Sequence, residues 1–155
     1  MRRDKRIFAI NFFTLLFFVI DRVLKIIFAK FSASGEFFIF GDWFRLKLSL
    51  NPGIAFGLPL NFYLILVFYI LVLAGLIWFL IVYYQKKNYF YIFFLSLIVV
   101  GAFSNFLDRL YGGQVIDYID LKYYSVFNLA DTMIVFGVIG ILIKNLNLKK
   151  QKAIK

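Results

Sequence analysis

Apolar residues run along this chain in four blocks, and polar and charged residues gather between them. The blocks cover about 7–28, 60–84, 89–107 and 129–146. A hydrocarbon core about 30 Å thick needs roughly 20 helical residues to cross it. Helix is also the state in which such uniformly apolar segments satisfy their own backbone groups in lipid. The stretch after the first block has a different rhythm. Over 44–50 bulky apolar and polar residues alternate from Phe44 onward, which predicts a strand. Asn51-Pro52-Gly53-Ile54 then fits a type II turn, with proline second and glycine third. The pattern predicts a single membrane domain of four transmembrane helices. A small extramembrane β-sheet, over about 36–58, would lay one apolar face on the bilayer interface. The stretch 112–120 reads as a loop.

Composition agrees with the pattern. The chain has 155 residues, of which 63% are hydrophobic and 17% charged. A soluble domain of this size cannot hide so much apolar surface, because much of a small protein's area faces water. The class is an all-α integral membrane protein with a small β-sheet cradle. The basic N-terminus resembles the start of a signal peptide, but the apolar run after it is too long. Asp21, Arg22 and Lys25 interrupt its last turns, and the small residues Ala33-Ser34-Gly35 lie past a normal cleavage distance. An uncleaved first span is expected.

The net charge of +10 changes meaning once the charges are placed. Arg2, Arg3, Lys5 and Arg6 precede the first span, and Lys86 and Lys87 join the second to the third. Lys144, Lys149, Lys150, Lys152 and Lys155 close the chain, making 11 of its 18 basic residues. All eleven fall on one side of a four-span topology, which marks that side as cytoplasmic rather than marking a nucleic-acid surface. Both termini are expected inside, with 29–59 and 108–128 outside. Seven of the eight acids take the opposite side: Asp21, Glu36, Asp42, Asp108, Asp117, Asp120 and Asp131.

Cysteine and histidine are both absent. That removes disulfides, thiol nucleophiles, thiolate metal sites, the usual general base and the Ser-His-Asp triad. Acid–base chemistry is left to Asp, Glu, Lys, Tyr or water. No metal or organic cofactor is indicated. Asp21 and Lys25 stand four residues apart on one helix; they form an intrahelical ion pair or hold a neighbouring loop or substrate. Gly101, Asn105 and Asp108 make a polar stripe down the third span, where Asn105 should point into the bundle. Arg109 can complement the helix macrodipole. Asn128 and Asp131 imitate a capping box at the start of the fourth span. Asp117 and Asp120 would be ordinary loop acids if taken alone.

Taken together, Asp108, Asp117, Asp120 and Asp131 lie on two helix ends and the short connection between them, so they can converge. Two carboxylates in one poorly solvated site cannot both ionise cheaply; one keeps its proton and the other acts as base. Such a dyad activates water near neutral pH without histidine. Three other readings stand beside it. A Ser–Lys protease would use Lys25 with Ser32, Ser34 or Ser104. A proton-coupled transporter or channel subunit would use membrane carboxylates as a relay. In a structural subunit the polar residues would only pack helices.

Asp21-Arg-Val-Leu-Lys25, Asn51-Pro-Gly-Ile-Ala-Phe56, Asn105-Phe-Leu-Asp-Arg109, Gly113-Gln-Val-Ile-Asp-Tyr-Ile-Asp120 and Phe127-Asn-Leu-Ala-Asp131 resemble, in order, the motifs of lipoprotein signal peptidase (signal peptidase II). The resemblance implies an aspartic endopeptidase of the bacterial inner membrane, multi-pass, with its active site on the outer side. It implies as substrate a prolipoprotein cut just before a cysteine that bears diacylglyceryl. One ionised Asp would take a proton from water while the other, protonated, polarises the carbonyl and later protonates the leaving amine. By motif the pair is Asp117 and Asp131. Asn51, Gly53, Phe56, Asn105, Asp108, Arg109 and Asn128 would bind or orient substrate and dyad, with Asp21 and Lys25 as support for the outer domain. Membrane lipids are the other partners, and a monomer suffices for an internal dyad. The chain departs from the family at Val100 and Ser104, where glycine is usual, and in a shorter run between Asp117 and Asp131. That shortening leaves Asp108 and Asp120 as other possible partners of Asp131.

Overall fold

The apolar blocks become helices and the alternating stretch becomes part of a sheet in a computed structural model, which describes residues 2–30, 37–53 and 61–153. Helix α1 spans Arg2–Lys30, strands β1 and β2 span Phe37–Phe40 and Phe44–Asn51, and α2 spans Phe62–Gln85. Then come α3 at Tyr89–Gly112, β3 at Val115–Leu121 and α4 at Leu129–Ala153. All four helices are long and apolar enough to cross a membrane. Helices α2 and α3 begin on asparagine caps, as α4 also does: Asn61 accepts from the Tyr63 N–H at 2.9 Å and Asn88 from that of Tyr91 at 3.5 Å. Gly113, at φ 72°, closes α3 in the left-handed conformation that glycine adopts without steric cost.

Helix α3 is the centre. It buries residues along its whole length, from Tyr91 and Ile92 to Asp108 and Arg109. Helix α4 can lie close against it because small residues remove the intervening side chains. A Cβ on Gly101 would sit 2.5 Å from the Ala130 carbonyl oxygen, and one on Gly137 would sit 2.8 Å from that of Phe94. Gly101, read from the sequence as part of a polar stripe, is thus the point where α3 meets the first turn of α4. Helix α2 buries Ile65 and Leu73 and leaves Leu64, Val67, Phe68, Leu71 and Trp78 exposed, an apolar face suited to acyl chains. At the ends of the helices far from the sheet, the Tyr84 hydroxyl donates to Asn11 and that of Tyr91 to Asn145, each at 2.5 Å.

The sheet has order β1-β2-β3 and is antiparallel throughout. Strand β3 corrects the expectation of a loop over 112–120. Its sequence carries too many acids to read as a strand, yet Val115, Asp117, Tyr118 and Asp120 are all buried, because both of its faces are covered. Register supplies a second correction. Leu46 pairs with Ile119, but Ser49 pairs with Asp117, so Lys47 and Leu48 together oppose Tyr118. This bulge reverses the alternation read from the sequence. Asn51 arrives on the face of Asp117, while Leu50, expected on the apolar face, is turned away and 47% exposed. Of the expected turn, Ile54 lies outside the described residues; at its start the Asn51 side chain accepts the Gly53 N–H at 3.1 Å.

Substituting Gly101→Val should lower stability by about 1–3 kcal/mol through overpacking. Because the clash falls on the backbone one residue before Asp131, activity should drop more steeply than stability. Thermal unfolding in detergent beside a turnover assay checks the pairing of the two losses.

Candidate active site

The sheet end of the bundle holds an unusual density of buried polar groups: Asp21, Lys25, Ser104, Asn105, Asp108, Arg109, Asp117, Asp120 and Asn128 are all buried. Fully buried charges require partners, since desolvation costs several kcal/mol per ion. Lys25 has three. Its ammonium reaches Asp21 at 3.2 Å, Asp108 at 2.7 Å and the Asn105 carbonyl oxygen at 2.8 Å. The pair expected within α1 forms, and it extends across to α3. Arg22, which the sequence reading passed over, pairs with the other oxygen of Asp108 and donates to the Ser104 carbonyl. It sits one residue after Asp21, and its charge near the end of an apolar span was the hint the sequence offered.

Asp21 reaches further than α1. The Ser104 hydroxyl donates to it at 2.5 Å, the Tyr118 hydroxyl at 3.2 Å and the Ala130 N–H at 3.1 Å. The Lys25 amine is occupied by three acceptors, and the Ser104 hydroxyl is spent on Asp21. The Ser–Lys reading fails at both residues; Ser32 and Ser34 lie outside the described residues.

The capping box expected at α4 forms in both directions. The Asp131 N–H donates to the Asn128 side chain at 2.9 Å, and the Asn128 N–H donates to the Asp131 carboxylate at 3.2 Å. The same Asn128 amide also donates to Asp117 at 2.7 Å and to Asn105 at 3.1 Å. Asn105 in turn donates to the other oxygen of Asp131 at 2.7 Å, so it does point into the bundle. Asp117 and Asp131 are therefore joined through two asparagines, and neither forms an ion pair among the described residues. Asn51 adds a side-chain hydrogen bond to Asp117 from β2. Burial and then the charge of Asp131 push the Asp117 carboxyl up to about 7, against the pull of the Asn128 and Asn51 hydrogen bonds and of Lys25.

The other acids are committed elsewhere. Asp120 accepts Arg45 at 2.6 Å and Lys47 at 3.0 Å across the sheet. Burial would raise its carboxyl, but these two cations outweigh burial and hold it below its ordinary value. Asp108 is held by Lys25 and Arg22 and accepts the Ile116 N–H at 3.3 Å. Arg109 does more than complement a helix dipole. Its guanidinium donates to the Gly53 carbonyl at 2.6 Å and lies 4.8 Å from the centroid of the Tyr69 ring. Its Nε and Nη1 are buried without a hydrogen-bond partner among the described residues. Tyr69, on α2, supplies the ring over which this guanidinium lies, although nothing in its apolar surroundings in the sequence singled it out. Phe56 lies outside the described residues.

Two carboxylates without an ion-pair partner among the described residues lie at the rim of a four-helix membrane bundle, and solved structures give the class, a membrane enzyme. Two bacterial membrane enzymes determined by the in meso method share the fold. One has a TM-score of 0.82 and 26% identity, over 93% of this chain and 91% of that one. The other has a TM-score of 0.77 and 26% identity, over 89% and 92%. The family whose profile matches is Signal peptidase (SPase) II, over residues 13–147. A lipoprotein signal peptidase from Halothermothrix orenii is 37% identical over 79% of this chain and 85% of its own. One from Desulfitobacterium hafniense is 40% identical over 77% and 80%. One from Staphylococcus carnosus is 32% identical over 85% and 86%. The chain belongs to the signal peptidase II family.

Replacing Lys25 by methionine would leave Asp21 and Asp108 facing each other with their main cation removed. The expected cost is about 3–5 kcal/mol, read as a loss of folded protein on heating. In an Asp131→Asn chain, Asp117 should ionise at a pH below about 7 yet above the ordinary 3.8, because one of its two raising causes is gone and burial remains. An infrared titration of the carboxyl stretch follows this directly.

Proposed function

We propose that Asp117 and Asp131 are the catalytic dyad of a peptidase that removes the signal peptide from diacylglyceryl-modified prolipoproteins, cutting before the lipidated cysteine. The observation that carries the reading is the asymmetry of the acids at this end of the bundle: Asp21, Asp108 and Asp120 each face a cation, while Asp117 and the half-buried Asp131 face each other through Asn128 and Asn105. A carboxyl pushed up to about 7 keeps a proton available at neutral pH. Asp131 accepts hydrogen bonds on both of its oxygens, from the Asn105 amide and the Asn128 N–H, which hold it facing the Asp117 side.

In this mechanism ionised Asp131 takes a proton from water as the water oxygen bonds to the scissile carbonyl carbon. Protonated Asp117 polarises that carbonyl, then gives its proton to the leaving nitrogen as the C–N bond breaks. The pair ends with its single proton on Asp131, one transfer from its starting state. Apolar walls strengthen both interactions by excluding water. Arg109 presents two buried, unpaired N–H-bearing nitrogens, the groups a substrate backbone carbonyl would accept from. The signal helix packs among the spans and the acyl chains remain in lipid. The cluster of acids at one end of the bundle suits chemistry at a membrane surface better than a relay across the membrane, which the transporter reading requires. The positive-inside pattern supports a reading with both termini in the cytoplasm and the sheet on the outer side of a bacterial inner membrane. An internal dyad of this kind works as a monomer.

The test is a gel-shift cleavage assay in detergent or lipid with a diacylglyceryl prolipoprotein and its unlipidated form. The parent should cut the lipidated form alone. Asp117→Asn and Asp131→Asn should each remain folded and lose at least about 100-fold in rate. The parent's rate should fall as pH rises through about 7, where Asp117 loses its proton. Cleavage by Asp117→Asn together with a dead Asp108→Asn would move the site to Asp108.

A further inference from the structure

Tyr118 follows Asp117 directly in β3, and its side chain leaves the strand on the opposite face. The ring is 2% exposed and stacks flat on Phe28 of α1, with centroids 5.1 Å apart and planes 2° from parallel. Its hydroxyl accepts the N–H of Leu129 at 3.0 Å and donates to the Asp21 carboxylate at 3.2 Å. The same oxygen of Asp21 accepts the N–H of Ala130 at 3.1 Å. Leu129 and Ala130 are the first two residues of α4, whose amides have no partner within the helix, and Asp131 comes next. The phenol thus joins the strand residue beside one carboxylate to the helix turn that carries the other.

From this geometry we infer that Tyr118 is a positioning residue whose hydroxyl sets the separation of Asp117 and Asp131. The inference rests on the dyad reading above. Asn128 bridges the carboxylates on one side of β3; Tyr118 and Asp21 fix the same two elements on the other. A side chain rotating about one tie is held by the second, which is the condition for keeping two reacting groups within a fraction of an ångström. Burial and the neighbouring Asp21 carboxylate push the phenol well above its ordinary range, so it stays a neutral donor wherever the enzyme works. The bulge places two β2 residues opposite Tyr118, the one point of β3 without a register partner in β2.

Tyr118→Phe keeps the stack on Phe28 and removes the hydroxyl alone. Phe28→Leu keeps the hydroxyl and removes the stack. Both are compared with the parent in the full chain, by thermal unfolding and by kcat, KM and pH profile on a diacylglyceryl prolipoprotein. Tyr118→Phe should lower kcat about 10- to 100-fold with KM within about twofold. Its alkaline limb should also move, because the charges facing Asp117 are Asp131 from α4 and Lys25 from α1, and the first has shifted. Phe28→Leu should lower the unfolding temperature while leaving kcat and the alkaline limb in place. Equal effects of the two variants on kcat, an unchanged kcat in Tyr118→Phe, or a Tyr118→Phe chain that does not fold would each assign the hydroxyl to stability and overturn the inference. An active Asp117→Asn control would instead sink the dyad itself, whatever Tyr118→Phe does.

Discussion

The structure depends on neutralising charge where water is scarce. Lys25, Arg22 and Arg109 bring three cations to the sheet end of the bundle, and Asp21, Asp108, Asp117 and Asp131 bring four carboxyls. Ion pairs join Lys25 and Arg22 to Asp21 and Asp108, while Asp117 and Asp131 form none among the described residues. Helix positions follow from the same requirement. Helix α1 supplies the lysine, α3 the aspartate and asparagine that hold it, and α4 the helix start that Asp21 caps from outside. The buried cluster is the common surface on which three spans agree, and chemistry is proposed at the corner that the cations do not reach.

The four spans were legible because a 20-residue apolar block has one physical outcome in a bilayer. The capping box at Asn128 and Asp131 was legible for a similar reason: its spacing is short and its geometry nearly fixed. Asn105, a lone amide in an apolar helix, was bound to face inward. Strand β3 was not legible. Its acids resemble a solvated loop, and only the covering of both faces by other elements makes a strand of them. The bulge at Lys47 and Leu48 was hidden too, since alternation along one strand does not say where its partner loses step.

The partners of the site residues divide along the same line. Motif and spacing gave the residue types, but the tasks of Arg22, Tyr69 and Tyr118 come from crossings between elements distant in sequence. Arg22 is read from its distance to Asp108, Tyr69 from its place under Arg109, and Tyr118 from the helix start it reaches. The shorter run between Asp117 and Asp131 proves sufficient for both to meet Asn128, because Ile119 and Phe127 close that run with backbone hydrogen bonds of 2.7 and 3.0 Å.

The pair Asp21–Lys25 also bears on how such a chain enters a membrane. Both groups lie on α1, one turn apart, and they find each other without any other span. Their eventual partners, Ser104, Asn105, Asp108 and Ala130, are synthesised some eighty residues or more later. The pairing can therefore form within α1 alone, before the rest of the buried cluster assembles around it.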